Sequence, residues 1–259
     1  MASPSHLSIR HLRGLVWTLV RTDFKTRYHG TLSGFFWALL KPMAMFLVLM
    51  WIFSFIFARD PSYKLNLIVG LFLWDFFAEG TKTGLTCLHA KGFLLTKARL
   101  PSWILIVTSA SNAVITLVAF SVVMILFLTF FGAPPGGEAI ALFACYQLHF
   151  LLLVVGFSLA TSVLFLRYRD LNQVWEVALQ AGFFVAPIIY PLDLIPERAH
   201  ALLYLWPPTP IIQFSRAVLI EGSLPTAKAH VLLTACTLGI LALGIIVYRN
   251  LAPRAAEYL

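Results

Sequence analysis

Residues 103–131 read WILIVTSASNAVITLVAFSVVMILFLTFF, 29 positions without a charged side chain. As an α-helix rising 1.5 Å per residue, this run is about 44 Å long, more than the roughly 30 Å of a bilayer's hydrocarbon core. The rest of the chain agrees with it. Of 259 residues, 60% are apolar and 12% charged, against about 45–50% and about 25% in soluble domains. A soluble globular class is excluded, and the length suits one membrane domain.

Further apolar runs flank this one, at residues 32–58, 65–88, 139–166, 174–191 and 229–249. With 101–131 they make six candidate spans, so the expected fold is an all-α membrane protein with six transmembrane helices in a single domain, 1–259. Residues 193–222 do not fit a seventh span. Two short apolar pieces, 199–206 and 211–220, are separated by Pro207-Pro208-Thr209-Pro210. Neither piece is long enough to cross, and the prolines break any continuous helix. A re-entrant, outward-facing helical hairpin is expected instead. Irregular backbone at membrane depth must be buried in protein or line a cavity, which makes the hairpin a functional candidate.

Six spans put both termini on one side. The opposite side then holds Arg59, Lys64, Arg198, Arg216 and Lys228, with Lys82 inside a span and the other thirteen basic residues on the terminal side. The positive-inside rule places both termini in the cytoplasm, so the net charge of +8 marks cytoplasmic loops. No signal-peptide pattern opens the chain, and the first span is expected to act as an uncleaved anchor. Residues 8–29 form a different element. Ile9, Leu12, Val16, Leu19, Val20, Phe24 and Tyr28 recur at helical spacing, with Arg10, Arg13, Arg21, Lys25 and Arg27 largely between them. This pattern predicts an amphipathic helix in the cytoplasmic interface.

Signals for catalysis are weak. The sequence has no P-loop, HExxH or GxSxG motif and no clustered histidine, so it offers no ATP site, metal site or nucleophile–base pair of its own. Cys87, Cys145 and Cys236 have neither metal-type nor redox spacing. The charges inside a span carry more information. Asp75, Glu79 and Lys82 stand at i, i+4 and i+7, on one helix face, and each costs about 2.5–3.5 kcal/mol to insert. Two readings stand side by side: a substrate or ion path, or a Glu79–Lys82 pair that orders the bundle.

Two predicted cytoplasmic loops carry apolar knobs framed by charge, suited to a groove on a cytosolic partner. One holds Phe93, Leu94, Lys97 and Arg99 before Pro101; the other holds Arg167, Arg169, Asp170 and Leu171. The 22 Phe, 8 Tyr and 7 Trp include Trp51, Phe55, Phe72, Trp74, Tyr190, Tyr204 and Trp206, grouped towards the predicted outer face. Interface belts account for Trp and Tyr there, and a conduit lining for sugar rings is the alternative.

In order, the segments Leu19-Val20-Arg21-Thr22-Asp23-Phe24-Lys25-Thr26-Arg27-Tyr28, Leu32-Ser33-Gly34-Phe35-Phe36-Trp37-Ala38-Leu39-Leu40-Lys41-Pro42, Leu94-Leu95-Thr96-Lys97 with Pro101, and Phe165-Leu166-Arg167-Tyr168-Arg169-Asp170-Leu171 are followed by Pro187-Ile188-Ile189-Tyr190-Pro191 and the Trp206–Pro210 cluster. This succession resembles the permease subunit of ABC-2 type exporters, close to the branch that exports O antigens and related polysaccharides. The resemblance implies a homodimer in the bacterial inner membrane, with each copy docking a separate cytosolic ATPase. ATP and Mg would sit on that partner and no cofactor on this chain, which would be no enzyme. It also implies a lipid-linked glycan as substrate, with Arg27, Lys41 and Lys97 as candidates for its pyrophosphate headgroup. The first docking segment departs from the family pattern, with Arg99 where an aromatic is commoner and Ser102 where a basic residue is. Export of teichoic acid, capsule, a lipid or a small molecule is the alternative within the family. An ion-coupled transporter using Asp75 and Glu79 is the alternative outside it, and the absence of an obvious inverted repeat counts against that.

Overall fold

A computed structural model describes residues 9–28, 35–58, 60–97, 101–132 and 134–255. Among the described residues every regular element is helical: α1 (Ile9–Tyr28), α2 (Phe36–Phe53), α3 (Tyr63–Ala90), α4 (Gly92–Lys97), α5 (Ser102–Phe131), α6 (Gly137–Arg167), α7 (Leu171–Val185), α8 (Glu197–Tyr204), α9 (Pro208–Arg216) and α10 (Ala227–Ala255). A 3-10 turn precedes α8, and a wide π turn, Ala217–Glu221, follows α9.

Four of these helices, α2, α5, α6 and α10, are long and apolar enough to cross a membrane. The six expected spans are thus met by length and composition at four places. At the other two, α3 has 28 residues but carries Asp75, Glu79 and Lys82 through its middle, and α7 has only 15. The fifth run, expected over 174–191, is helical over Leu171–Val185 instead. Pro187 explains the early end, because a proline holds the residue before it out of the α region, and Ala186 is extended with ψ 123°.

The core is built around α3, which is buried on nearly all sides. Phe72 stacks on Phe120 of α5 at 4.5 Å, and Phe77 stacks on Phe150 of α6 at 5.7 Å. Glycines let the helices approach. Gly80 and Gly84, four apart on α3, face α6, and a Cβ at Gly84 would lie 2.5 Å from the Ser158 Cβ. Where α10 crosses α6, a Cβ at Gly244 would lie 2.8 Å from the Gly156 carbonyl carbon. Small residues at helix seams give close van der Waals packing, the main source of association where lipid removes the hydrophobic drive.

The Pro-rich segment divides as its prolines dictate. Helix α8 ends at Tyr204, and α9 begins at Pro208, whose missing N–H costs nothing in a first turn. From α9, the buried Arg216 donates from Nε to the Asn66 carbonyl (3.0 Å), from Nη1 to the Pro187 carbonyl (2.6 Å) and from Nη2 to the Ile188 carbonyl (3.0 Å). These last two are carbonyls freed by the break after α7, and buried helix ends need such partners. The Trp206 ring lies against Gly182 of α7, where a Cβ would come within 2.5 Å of it.

Helix α1 has Val16, Leu19, Val20 and Phe24 half-buried and Arg13, Arg21 and Lys25 exposed. It packs on α5, and its Asp23 forms an ion pair with Lys91, the residue between α3 and α4.

Candidate functional site

A cavity of about 860 Å³ opens between α2, α3 and α7. From α3 it takes Asp75, Glu79 and Lys82, from α2 Lys41, and from α7 Glu176 and Gln180. The i, i+4, i+7 spacing on α3 therefore does what helical periodicity requires, turning three charges into one space. Trp74, Phe183 and Phe184 form the apolar wall beside them, with Trp74 and Phe183 at 5.8 Å, edge to face.

The charges are tied across the groove. Lys82 Nζ lies 2.9 Å from Glu176 Oε1, a salt bridge that runs from α3 to α7. Glu79 Oε1 accepts from the Thr83 hydroxyl at 3.3 Å. The Lys82 and Glu176 side chains are 42% and 45% exposed, so the bridge contributes at most about 1 kcal/mol. A link that weak, inside a polar cleft, suits opening and closing better than bracing. A second tie between the same helices lies deeper, where Trp175 Nε1 donates to Thr81 Oγ1 at 3.0 Å.

The site residues expected from the sequence separate into groups. Lys41, expected at a lipid headgroup, sits in the groove with Asp75, Glu79, Lys82 and Trp74. Phe72 is a correction to the aromatic exit. It has no exposed surface, because its position on α3 turns it to α5, and a ring sealed in its own chain's core cannot line a conduit. Trp206 is half-buried against Gly182, while Trp51 and Phe55 are exposed and meet edge to face at 6.1 Å. Tyr190 and Tyr204 border a different cavity, at the start of α3.

Of the docking candidates, Phe93 is exposed on α4 and Leu94 packs into the small core cluster around Cys87. Arg167, Arg169 and Asp170 are exposed in the α6–α7 turn, with Leu171 half-buried. The two guanidiniums sit over the rings of Tyr168 (5.3 Å) and Phe165 (5.6 Å). Arg99 lies outside the described residues. Arg27 and Lys97 lie on α1 and α4, and their side chains are outside the described set.

Sequence reasoning passed over Glu176, Gln180 and Arg216. The signal for Glu176 was a lone carboxylate in a short apolar helix, and for Arg216 a lone arginine just after the proline cluster. Among the described residues no group of His, Cys, Asp and Glu could hold a metal.

A half-exposed charged groove among long apolar helices is the anatomy of a membrane transport protein, and a family model described as ABC-2 type transporter matches residues 14–220. The chain belongs to the ABC-2 type transporter family. The matched residues take in the groove and the hairpin of this ABC-2 chain. It is similar to the O-antigen export system permease protein RfbA of Myxococcus xanthus, 28% identical over 88% of this chain and 89% of the relative. A protein of the same name from Klebsiella pneumoniae is 26% identical over 97% of both chains. The polysialic acid transport protein KpsM of Escherichia coli is 26% identical over 88% of this chain and 90% of its own length. The ABC-2 chain is accordingly a multi-pass membrane protein of a transport family.

Proposed function

We propose that this chain is the permease subunit of an ATP-driven exporter that moves a lipid-linked polysaccharide across the bacterial inner membrane. Two copies pair, and each docks a cytosolic ATPase that carries ATP and Mg, while this chain binds no cofactor. The chain crosses six times, with α3 and α7 as the two charged or short crossings, both termini in the cytoplasm and the α8–α9 hairpin re-entrant from the outer side.

The observation that carries this reading is the groove between α2, α3 and α7. Carboxylates accept hydrogen bonds from sugar hydroxyls, and aromatic faces such as Trp74 and Phe183 cover the apolar faces of sugar rings. Lys41 and Lys82 supply positive charge for a phosphate group. The relatives' names, O-antigen export and polysialic acid transport, support the same substrate class. The Asp23–Lys91 pair supports α1 and α4 lying on one side, where α4 and the turn at Arg167, Arg169 and Asp170 would meet the ATPase.

The test is genetic and biochemical. Deleting the chain should abolish the surface polysaccharide, and an ATPase encoded beside it should copurify. Transport that survives ATP depletion and follows a proton gradient would overturn the proposal in favour of ion coupling through Asp75 and Glu79.

A further inference from the structure

A second cavity, of about 550 Å³, lies at the end of α3 remote from α4. That is within the range of small-molecule sites, about 300–1,000 Å³. It is separate from the groove: its walls come from the start of α3, the segment after α7, and α8, α9 and the π turn.

Six buried side-chain polar atoms among the described residues have no hydrogen-bond partner, and three belong to this cavity's wall: Tyr63 Oη, Asn66 Oδ1 and Gln213 Nε2. Buried polar groups are nearly always satisfied, so three orphans around one hollow point to something that belongs there. The set holds an acceptor on Asn66, a donor on Gln213 and a hydroxyl able to do both on Tyr63, which is 4% exposed. This is the complement of neighbouring hydroxyls on a sugar.

Charge narrows the ligand further. Asp60, Asp193 and Glu221 stand in the wall with Arg216 as the only cation among its described residues. The Arg216 guanidinium already donates to three backbone carbonyls, so the wall presents acceptors and negative charge. An anion is repelled, while an uncharged polyol can donate to the carboxylates. The rings of Tyr190, Tyr204 and Phe214 supply the apolar faces; the Tyr190 hydroxyl is itself spent on the Phe184 carbonyl at 2.7 Å.

We propose that this cavity binds a short, uncharged saccharide segment of the moving glycan. The inference deepens the permease reading and rests on it. It assigns the chain a second sugar contact, beyond the groove, that favours neutral over acidic polymers.

The experiment uses the full chain in lipid nanodiscs and isothermal titration with a panel of neutral trisaccharides (mannotriose, maltotriose, galactotriose and a rhamnose trisaccharide) alongside trisialic acid. At least one neutral trisaccharide should bind saturably, with trisialic acid at least about tenfold weaker. Tyr63→Phe and Gln213→Ala should each weaken that binding by up to about tenfold, the worth of one hydrogen bond. Tyr63→Phe should not lower the melting temperature, because its hydroxyl bonds to no protein group. Arg21→Ala, exposed on α1 and in neither cavity's wall, should leave the affinity unchanged. The proposal is overturned by no neutral binding, by equal binding of trisialic acid, or by undiminished binding in both cavity variants. Loss of surface polysaccharide on deletion tests the permease reading separately, so either can fail alone.

Discussion

Gly84 offers a quantitative test of the α3–α6 seam. An alanine there places its Cβ 2.5 Å from the Ser158 Cβ, yet 3.5 Å from the Ser158 Cα. The obstacle is therefore one side chain, with the backbone behind it at ordinary contact distance. Overpacking of this kind costs about 1–3 kcal/mol. Ser158→Gly removes the obstructing atoms and loses a bond to the Val154 carbonyl within the same helix (2.6 Å). Ser158→Ala removes the hydroxyl but keeps the Cβ that clashes. Gly84→Ala should thus be rescued most fully by Ser158→Gly and only in part by Ser158→Ala, which removes the nearest atom, the hydroxyl oxygen, but not the Cβ, with a coupling of about 1 kcal/mol or more to Ser158→Gly in a double-mutant cycle. Gly244→Ala provides the contrast. Its Cβ would meet Gly156 backbone atoms, including the carbonyl carbon at 2.8 Å and the Cα at 3.0 Å. No side-chain change relieves that, so its cost should reach the top of the range or exceed it. Unfolding of the purified chain in mild detergent, followed by tryptophan fluorescence, reads these differences. Equal rescue by Ser158→Ala, or a neutral Gly84→Ala, would refute the seam as described.

Arg216→Met should destabilise by about 2–4 kcal/mol, because the buried Pro187 and Ile188 carbonyls lose their donors at about 1–3 kcal/mol each. Arg216→Lys should recover only part, because an ammonium lacks the planar fork that reaches three carbonyls; melting temperatures of the two variants check both. Lys82→Ala should change stability by less than about 1 kcal/mol, since its bridge is half exposed, yet alter the export rate in cells or reconstituted vesicles. The charge-swapped Lys82→Glu/Glu176→Lys double variant should restore that rate. Arg167→Ala and Asp170→Ala should reduce coupling of ATP hydrolysis to export without unfolding the protein, and unchanged ATP-dependent export in both would remove that turn from the docking surface.

The helical class was legible because residues 103–131 and their companions leave no soluble alternative, and the proline cluster announced the break between α8 and α9. The clustering of Asp75, Glu79 and Lys82 was legible because helical periodicity alone sets it. The partner of Lys82 was not, since Glu176 lies 94 positions along and only packing of α7 on α3 brings it near. The direction of Phe72 was equally hidden. Helix α3 is apolar on almost every face, so hydrophobic periodicity has no preferred side, and nothing local distinguishes Phe72 in the core from Trp74 at the groove. Arg216 counted only as an outer-side charge, because its role depends on carbonyls freed by Pro187, a feature of another segment.

That arginine has a mechanical consequence. By clamping the broken end of α7 to α9 it makes the two segments one stiff plate. Peeling the hairpin away would strand the Pro187 and Ile188 carbonyls, whereas turning the plate as a whole keeps both bonds and gives up only the one to the Asn66 carbonyl of α3. Movement at that end then gathers where the chain leaves the plate, at Gly222 with its φ of 63°. A pair of fluorophores placed across Gly222 would therefore report rotation, and a pair within the plate would stay at fixed separation throughout the transport cycle.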